Sequence, residues 1–143
     1  MKPTHPIRFT RTHPDAIMPT YATEGSACFD LYAYADQTGP NMVVDTGLAF
    51  EIPAGYMMRI ESRSGLGFKQ GVAAFPGIVD SDYRGSVRVL LYQFVLSYKD
   101  IVVRRGDRIA QAWITPCERV SFVEVDRLSE TGRGAGGFGS TGR

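Results

Sequence analysis

Two cysteines and two histidines are all that this 143-residue chain has for thiol, imidazole or zinc chemistry. Cys28 and Cys117 lie in unrelated stretches with no CxxC spacing, so a disulfide scaffold is not indicated. Two reduced thiols in a cytosolic protein are expected. His5 and His13 both stand near the start, which leaves a Ser-His-Asp or Cys-His nucleophile system, or a Cys/His zinc site, without partners in the body of the chain. Pro116-Cys117 lacks the second cysteine of a zinc-deaminase signature. A dominant charge is also missing. Sixteen Lys and Arg face fifteen Asp and Glu, for a net charge of +1. A polyanion must therefore be held by a local site, and neither a nucleic-acid coat nor an acidic disordered tail is expected. No apolar run approaches the roughly 18 residues of a membrane span. The start, MKPTHP, has no apolar h-region. The expectation is a cytoplasmic protein (nuclear or host-cytosolic if viral), not secreted, with no membrane and no direct nucleic-acid partner. If the chain is an enzyme, carboxylates, arginines, hydroxyls, backbone amides and a hard metal ion remain as its tools.

The length suits one domain with a real core. Its signals are almost all strand-like. Short runs at 42–44, 48–52 and 56–61 are bounded by Gly, Pro or Asp, 87–95 is the longest, and 101–103, 108–114 and 120–125 follow. Gly55, Gly71, Gly85 and Gly106 punctuate them. One helical turn or two is predicted, over Ser64–Lys69. Many short strands at regular spacing predict an all-β sandwich, jelly roll or barrel.

Five patches carry chemistry. Gly25–Ala33 holds one acid, Asp30, in an apolar run; it is either an edge aspartate facing solvent or a carboxylate for a hydrated cation. Arg63-Ser64-Gly65 opens the predicted helix. It is either an N-cap serine or a set of hydroxyl, amide and guanidinium donors for an anion. Gly77-Ile78-Val79-Asp80-Ser81-Asp82-Tyr83-Arg84-Gly85 is hairpin-like and is either a polar turn or a carboxylate base beside an aromatic wall. In Gly106–Gln111, Gly-Asp is a turn, Arg108 pairs with an acid, and the Gln111 amide could donate to a phosphate. Residues 131–143, TGRGAGGFGSTGR, hold six glycines in thirteen residues. Ordering glycine is entropically costly, so composition alone favours a terminus without fixed shape. Arg133, Phe138, Ser140 and Thr141 are the groups that a lid over a nucleotide would need.

In this order the five patches resemble the motifs of the homotrimeric dUTP pyrophosphatases (dUTPases), from Gly25 to Gly142. The resemblance implies an all-β, jelly-roll-like β-clip fold with at most one very short helix. It implies a β-domain over 1–130, a flexible Gly-rich lid over 131–143, and a homotrimer whose sites take motifs from more than one chain. It further implies hydrolysis of dUTP to dUMP and pyrophosphate with Mg²⁺, which limits uracil in DNA and supplies dUMP for thymidylate. Asp80 is implied to activate the attacking water. A carboxylate is a weak base at neutral pH, so positioning and charge neutralisation must supply much of the acceleration. Tyr83 is implied to pack on the deoxyribose and to exclude a 2′-hydroxyl. Asp30 is implied at the magnesium site, through water. Arg63, Ser64, Gly65 and Gln111 are implied phosphate contacts, joined from the tail by Arg133, Gly139, Ser140 and Thr141. Phe138 is implied to stack on uracil, worth about 1–3 kcal/mol. Main-chain groups of the hairpin, including Gly77, Ile78 and Val79, are implied to select the base.

Three positions depart from the family pattern. Ala74 stands where relatives carry Asn or Gly, Gln93 near a usual Asn, and Ser62 where a Pro often precedes the arginine. Two rivals to the dUTPase reading are a dCTP deaminase of the same fold and a nucleotide-gated binding protein acting on a regulatory partner. Phe138 and the Asp80–Tyr83 segment argue against the first. The second lacks the inserted segment that such members often carry.

Overall fold

The computed structural model describes residues 6–95 and 99–137. Phe138, Gly139, Ser140 and Thr141 lie outside the described residues. In chain order the elements are β1 (Arg8–Arg11), β2 (Thr20–Tyr21), β3 (Phe29–Tyr32), β4 (Gln37–Gly39), β5 (Met42–Asp45), β6 (Leu48–Glu51) and β7 (Tyr56–Glu61). Then come α1 (Ser64–Gln70), β8 (Val72–Ala74), β9 (Gly77–Val79), β10 (Arg88–Gln93), β11 (Ile101–Val103) and β12 (Arg108–Pro116).

Every strand pair is antiparallel. The largest sheet runs β2-β3-β12-β7-β9, a second runs β5-β10-β8, and β1-β6 and β4-β11 form two-stranded ribbons. This is the all-β, jelly-roll-like architecture expected, with its one short helix. Side-chain alternation sets which face turns inward. In β10, Val89 and Leu91 are buried while Arg88 and Leu90 are exposed; in β5, Met42 and Val44 are buried and Val43 is not. Leu31, Leu48, Met58, Leu91 and Ile109 are the largest fully buried apolar side chains. One core cluster gathers residues from both large sheets. No helix among the described residues is long and apolar enough to cross a membrane.

The structure corrects the sequence expectations at three places. The run at 87–95 pairs only over Arg88–Gln93; Phe94 instead donates its N–H to Gly71 O (3.1 Å), and Phe94 and Val95 are exposed. Gln93, the departure noted above, donates its side-chain amide to Lys99 O (2.7 Å), which ties off the connection that leaves β10. The run at 120–125 forms no strand, and Phe122 and Val123 are 95% and 78% exposed. Its β-branched composition supplies propensity, but a strand also needs a partner, and no strand among the described residues pairs with it.

The helix start differs as well. Arg63, not Ser64, is the N-cap, its backbone is extended, and no side chain caps the helix. The stop is at Gly71, in the left-handed region at φ 64°, with its N–H on the carbonyls of Gly67 and Leu66. A β-carbon there would also run into the Val95 side chain. Gly71→Ala is therefore expected to lower stability by about 1–2 kcal/mol, read as a shift of the urea midpoint with the slope unchanged.

Candidate active site

Asp30 sits in β3 and is 6% exposed. Burying a carboxylate is costly unless it is paired, and here two arginines pair it. Arg63 donates its Nε–H to Oδ1 at 2.8 Å, and Arg108 donates from Nη1 to Oδ2 at 3.4 Å. Strand register creates the meeting. Gln111 of β12 faces Asp30 of β3 on one side and Glu61 of β7 on the other. The chain leaves β7 through Ser62 into Arg63 at the mouth of α1. Gln111 donates its side-chain amide to Ser62 O (2.8 Å), which ties the same three strands together a second time. Three segments distant in sequence thus form one polar cluster, with Asp30 at its centre. Cys28 lies nearby. Burial, then the charges of Asp30 and Glu61, push its thiol up, so it stays protonated and a poor nucleophile.

In front of this cluster is an open cleft of about 470 Å³, lined by Arg63, Gly65, Lys69 and Arg108 among others. Ser64 is exposed at its rim. The cations outnumber the one lining acid, Asp107, so the cleft suits a polyphosphate. Lys69 went unnoticed in the sequence. The signal was there, since positions 65 and 69 share a face of α1 by their i, i+4 spacing.

Ser62 was read only as a departure. Its Oγ donates to Ala74 O and accepts from Ala74 N–H, both at 2.9 Å. Two of the three departures therefore touch, and a hydroxyl holds β8 to the turn that leads into α1. Beyond β8, Gly77–Val79 pairs with β7, with Val79 buried and Ile78 exposed. Asp80 follows, exposed, and accepts the Tyr83 N–H on its carbonyl (3.2 Å). Arg84 closes the turn by donating to Ser81 O (2.8 Å) and Tyr83 O (3.0 Å).

Asp80 and Tyr83 are not brought to the Asp30 cluster. Val79 pairs with Met58, so Asp80 continues beyond Met58 toward the start of β7, whereas Arg63 continues beyond Glu61 at its end. The stretch from Met58 to Glu61 alone spans roughly 10 Å at about 3.3 Å per residue, and both residues lie further out in opposite directions. Arg133 is also apart. It is exposed and closes a turn of its own tail, donating Nε–H to Gly136 O (2.8 Å).

Among the described residues, no three His, Cys, Asp or Glu side chains converge on a metal position. The donor set suits an ion carried by a substrate's phosphates rather than a protein cage. Asp30 has two of about four lone-pair positions committed to arginine, which leaves capacity for metal-bound water. Removing the acid leaves two guanidinium groups facing each other. Asp30→Ala is expected to cost about 3 kcal/mol, the low end for a buried pair because Arg108 is half exposed. Chemical denaturation measures this, and binding of inorganic pyrophosphate should weaken in parallel.

A family model described as dUTPase matches residues 14–142. The chain is 43% identical to the deoxyuridine 5'-triphosphate nucleotidohydrolase of Nautilia profundicola, over 96% of this chain and 99% of that one. It is 48% identical to the enzyme of the same name from Anaplasma marginale, over 87% and 88%. Among solved structures, a dUTPase mutant of Staphylococcus bacteriophage 80alpha with dUpNHpp superposes at a TM-score of 0.84. The identity is 22%, and 98% of this chain and 100% of that one are covered. A dUTPase mutant from phage phi11 of S. aureus, described with a structural Mg(II) ion, gives a TM-score of 0.81 at 19% identity, covering 88% and 100%. The phage structures bear on the fold; the family model and the two bacterial relatives establish that this chain belongs to the dUTPase family.

Proposed function

We propose that this dUTP nucleotidohydrolase works at a site shared between copies of the chain. Water attacks the α-phosphorus in line, its oxygen bonds to phosphorus, and the bridging oxygen leaves with pyrophosphate. Asp80 orients that water and takes its proton. The observation that carries the reading is the placement of Asp80 and Tyr83 at one end of β7 and the Arg63–Asp30–Arg108 cluster at the other. The α-phosphate of one nucleotide must meet both the water activator and the phosphate donors. One chain holds these groups too far apart for that, so the hairpin of one copy faces the cationic cleft of another. A homotrimer satisfies this. The exposed apolar arm, with Val120, Phe122, Val123 and Val125, is the kind of surface that a neighbouring copy covers.

The hairpin expected here does not form, since β8 pairs with β10 and β9 with β7; in this reading the β8–β9 segment reads uracil through its main chain at Gly77, Ile78 and Val79, and Ser62 holds Ala74 at its root. No side-chain amide is available at position 74, so backbone donors and acceptors must carry the discrimination against cytosine. The Tyr83 ring walls off the 2′ position of the sugar. Arg63, Ser64, Gly65 and Gln111 bind the phosphates. Gln111 has a second N–H free of the Ser62 bond for that purpose. Mg²⁺, held by the substrate phosphates with Asp30 behind their waters, would neutralise charge on the triphosphate. The tail brings Arg133 to the phosphates and Phe138 to the base, with Gly139, Ser140 and Thr141 completing the cover. Its ordering entropy offsets part of the stacking gain, which favours product release.

Pyrophosphate release should occur with dUTP and Mg²⁺, and fall away with dCTP, dTTP or UTP. Asp80→Asn is expected to lose at least about a hundredfold in turnover, the size of a general-base contribution, while nucleotide affinity is kept. Near-normal turnover would remove Asp80 from this role. Truncation before Arg133 should leave an assembled protein with little activity; normal hydrolysis by that variant would end the lid reading. A monomer by sedimentation that still hydrolyses dUTP would overturn the shared site.

A further inference from the structure

Tyr83 does not hold its position by side-chain packing alone. Its hydroxyl donates to the carbonyl of Ser86 (3.2 Å), three residues on, so the ring folds back over its own turn. The residue beneath is Gly85. A β-carbon there would stand 2.5 Å from Cζ and 3.0 Å from Cε2 of the ring, and closer still to the hydroxyl. Backbone geometry does not demand glycine at this position, since Gly85 is not among the positive-φ glycines. The demand is close approach, because the outer edge of the ring rests on the bare Cα.

Ser86 is in turn fastened to a different part of the fold. Its hydroxyl donates to Asp45 Oδ1 and accepts from Thr12 Oγ1 (3.2 Å). The same Asp45 oxygen accepts the Gly47 N–H (2.7 Å), which sets the β5–β6 turn. Two further bonds bolt the next residue to that turn: Thr46 donates from Oγ1 to Val87 O (2.7 Å), and Val87 donates its N–H to Leu48 O (2.8 Å). Thr46 is fully buried. Tyr83 thus stands on a chain of contacts that runs from its hydroxyl through Ser86 to Asp45 and the buried β5–β6 turn.

We propose that Gly85, Ser86 and Asp45 are positioning residues that set the Tyr83 ring, and through it the preference for a 2′-deoxyribonucleotide over a ribonucleotide. The inference rests on Tyr83 being the sugar-facing wall, as read above. A steric wall discriminates only if it cannot move. A 2′-hydroxyl needs little more than the room that a ring shift of about 1 Å would create, and misplacement on that scale changes rates by up to about a hundredfold. A lifted or loosened ring therefore admits UTP while dUTP still fits.

The test compares kcat/KM for dUTP and for UTP in the full-length protein. Gly85→Ala is expected to lower the dUTP/UTP ratio by about tenfold or more, mainly through a better UTP value, with the urea midpoint tracked alongside. Asp45→Ala should do the same to a lesser degree. Asp45→Asn, which keeps an oxygen acceptor for both Ser86 and Gly47, should restore the ratio. Tyr83→Phe removes only the hydroxyl, and reads the same bond without loading the backbone; a few-fold fall is expected. An unchanged ratio in Gly85→Ala, Asp45→Ala and Tyr83→Phe overturns the inference, as does an Asp45→Asn ratio as low as that of Asp45→Ala. Unmodified protein that hydrolyses dUTP and UTP alike instead overturns the sugar-wall reading of Tyr83. A uniform loss toward both substrates, at an unchanged ratio, marks these residues as structural only and also counts against it.

Discussion

The buried carboxylate of Asp30 is the constraint on which the site depends. An anion at 6% exposure must be paired, and the two arginines that pair it come from the two segments bounding the cationic cleft. Satisfying one buried charge therefore brings α1, β3 and β12 together and orients Arg63 and Arg108 at the same time. Their remaining N–H groups face a space lined by Lys69 and Gly65. The acid fixes the geometry of the two cations at the cleft.

The long central strands then keep the two groups of motif residues apart. β7 leads into the Arg63 turn at one end and pairs with β9, which leads to Asp80, at the other. A rigid strand is a good spacer for the same reason that it cannot bend to close a site on itself. Under the proposed shared site, assembly of copies resolves the separation, and the exposed apolar arm beyond β12 offers surface for it. Under the proposed function the tail with Arg133 adds a cover, and its glycine-rich composition makes ordering entropically costly unless a ligand compensates.

Fine control of the site is held by bonds that no motif displays. Ser62 takes both backbone groups of Ala74, and Asp45 holds Ser86, whose carbonyl takes the hydroxyl of Tyr83. Each links a motif segment to a distant part of the sheet framework. Base recognition by main-chain groups, as proposed, would need such support, because a backbone cannot adjust a rotamer to recover a lost contact.

Much was legible in the sequence because local chemistry decides it. Short runs of β-formers bounded by Gly, Pro or Asp placed β5, β6, β7, β11 and β12, and the glycine after Gln70 marked the end of α1. The ordered motifs identified the family and named Asp80, Arg63 and Gln111. Arg108 was read as pairing with an acid, though not with which one. The rest needed three dimensions. The run at 120–125 has the composition of a strand yet pairs with no strand among the described residues, because pairing is a property of edges and not of residues. Ser62 and Ala74 looked like two independent departures until the fold placed one hydroxyl on one peptide unit. The division of the site between the two ends of β7 is set by strand register, and register follows from how all the strands share one core. Sequence by itself determined the family and the residues that match its motifs; tertiary structure alone decided which of them meet within a chain, because contact between distant residues depends on packing that no local pattern encodes.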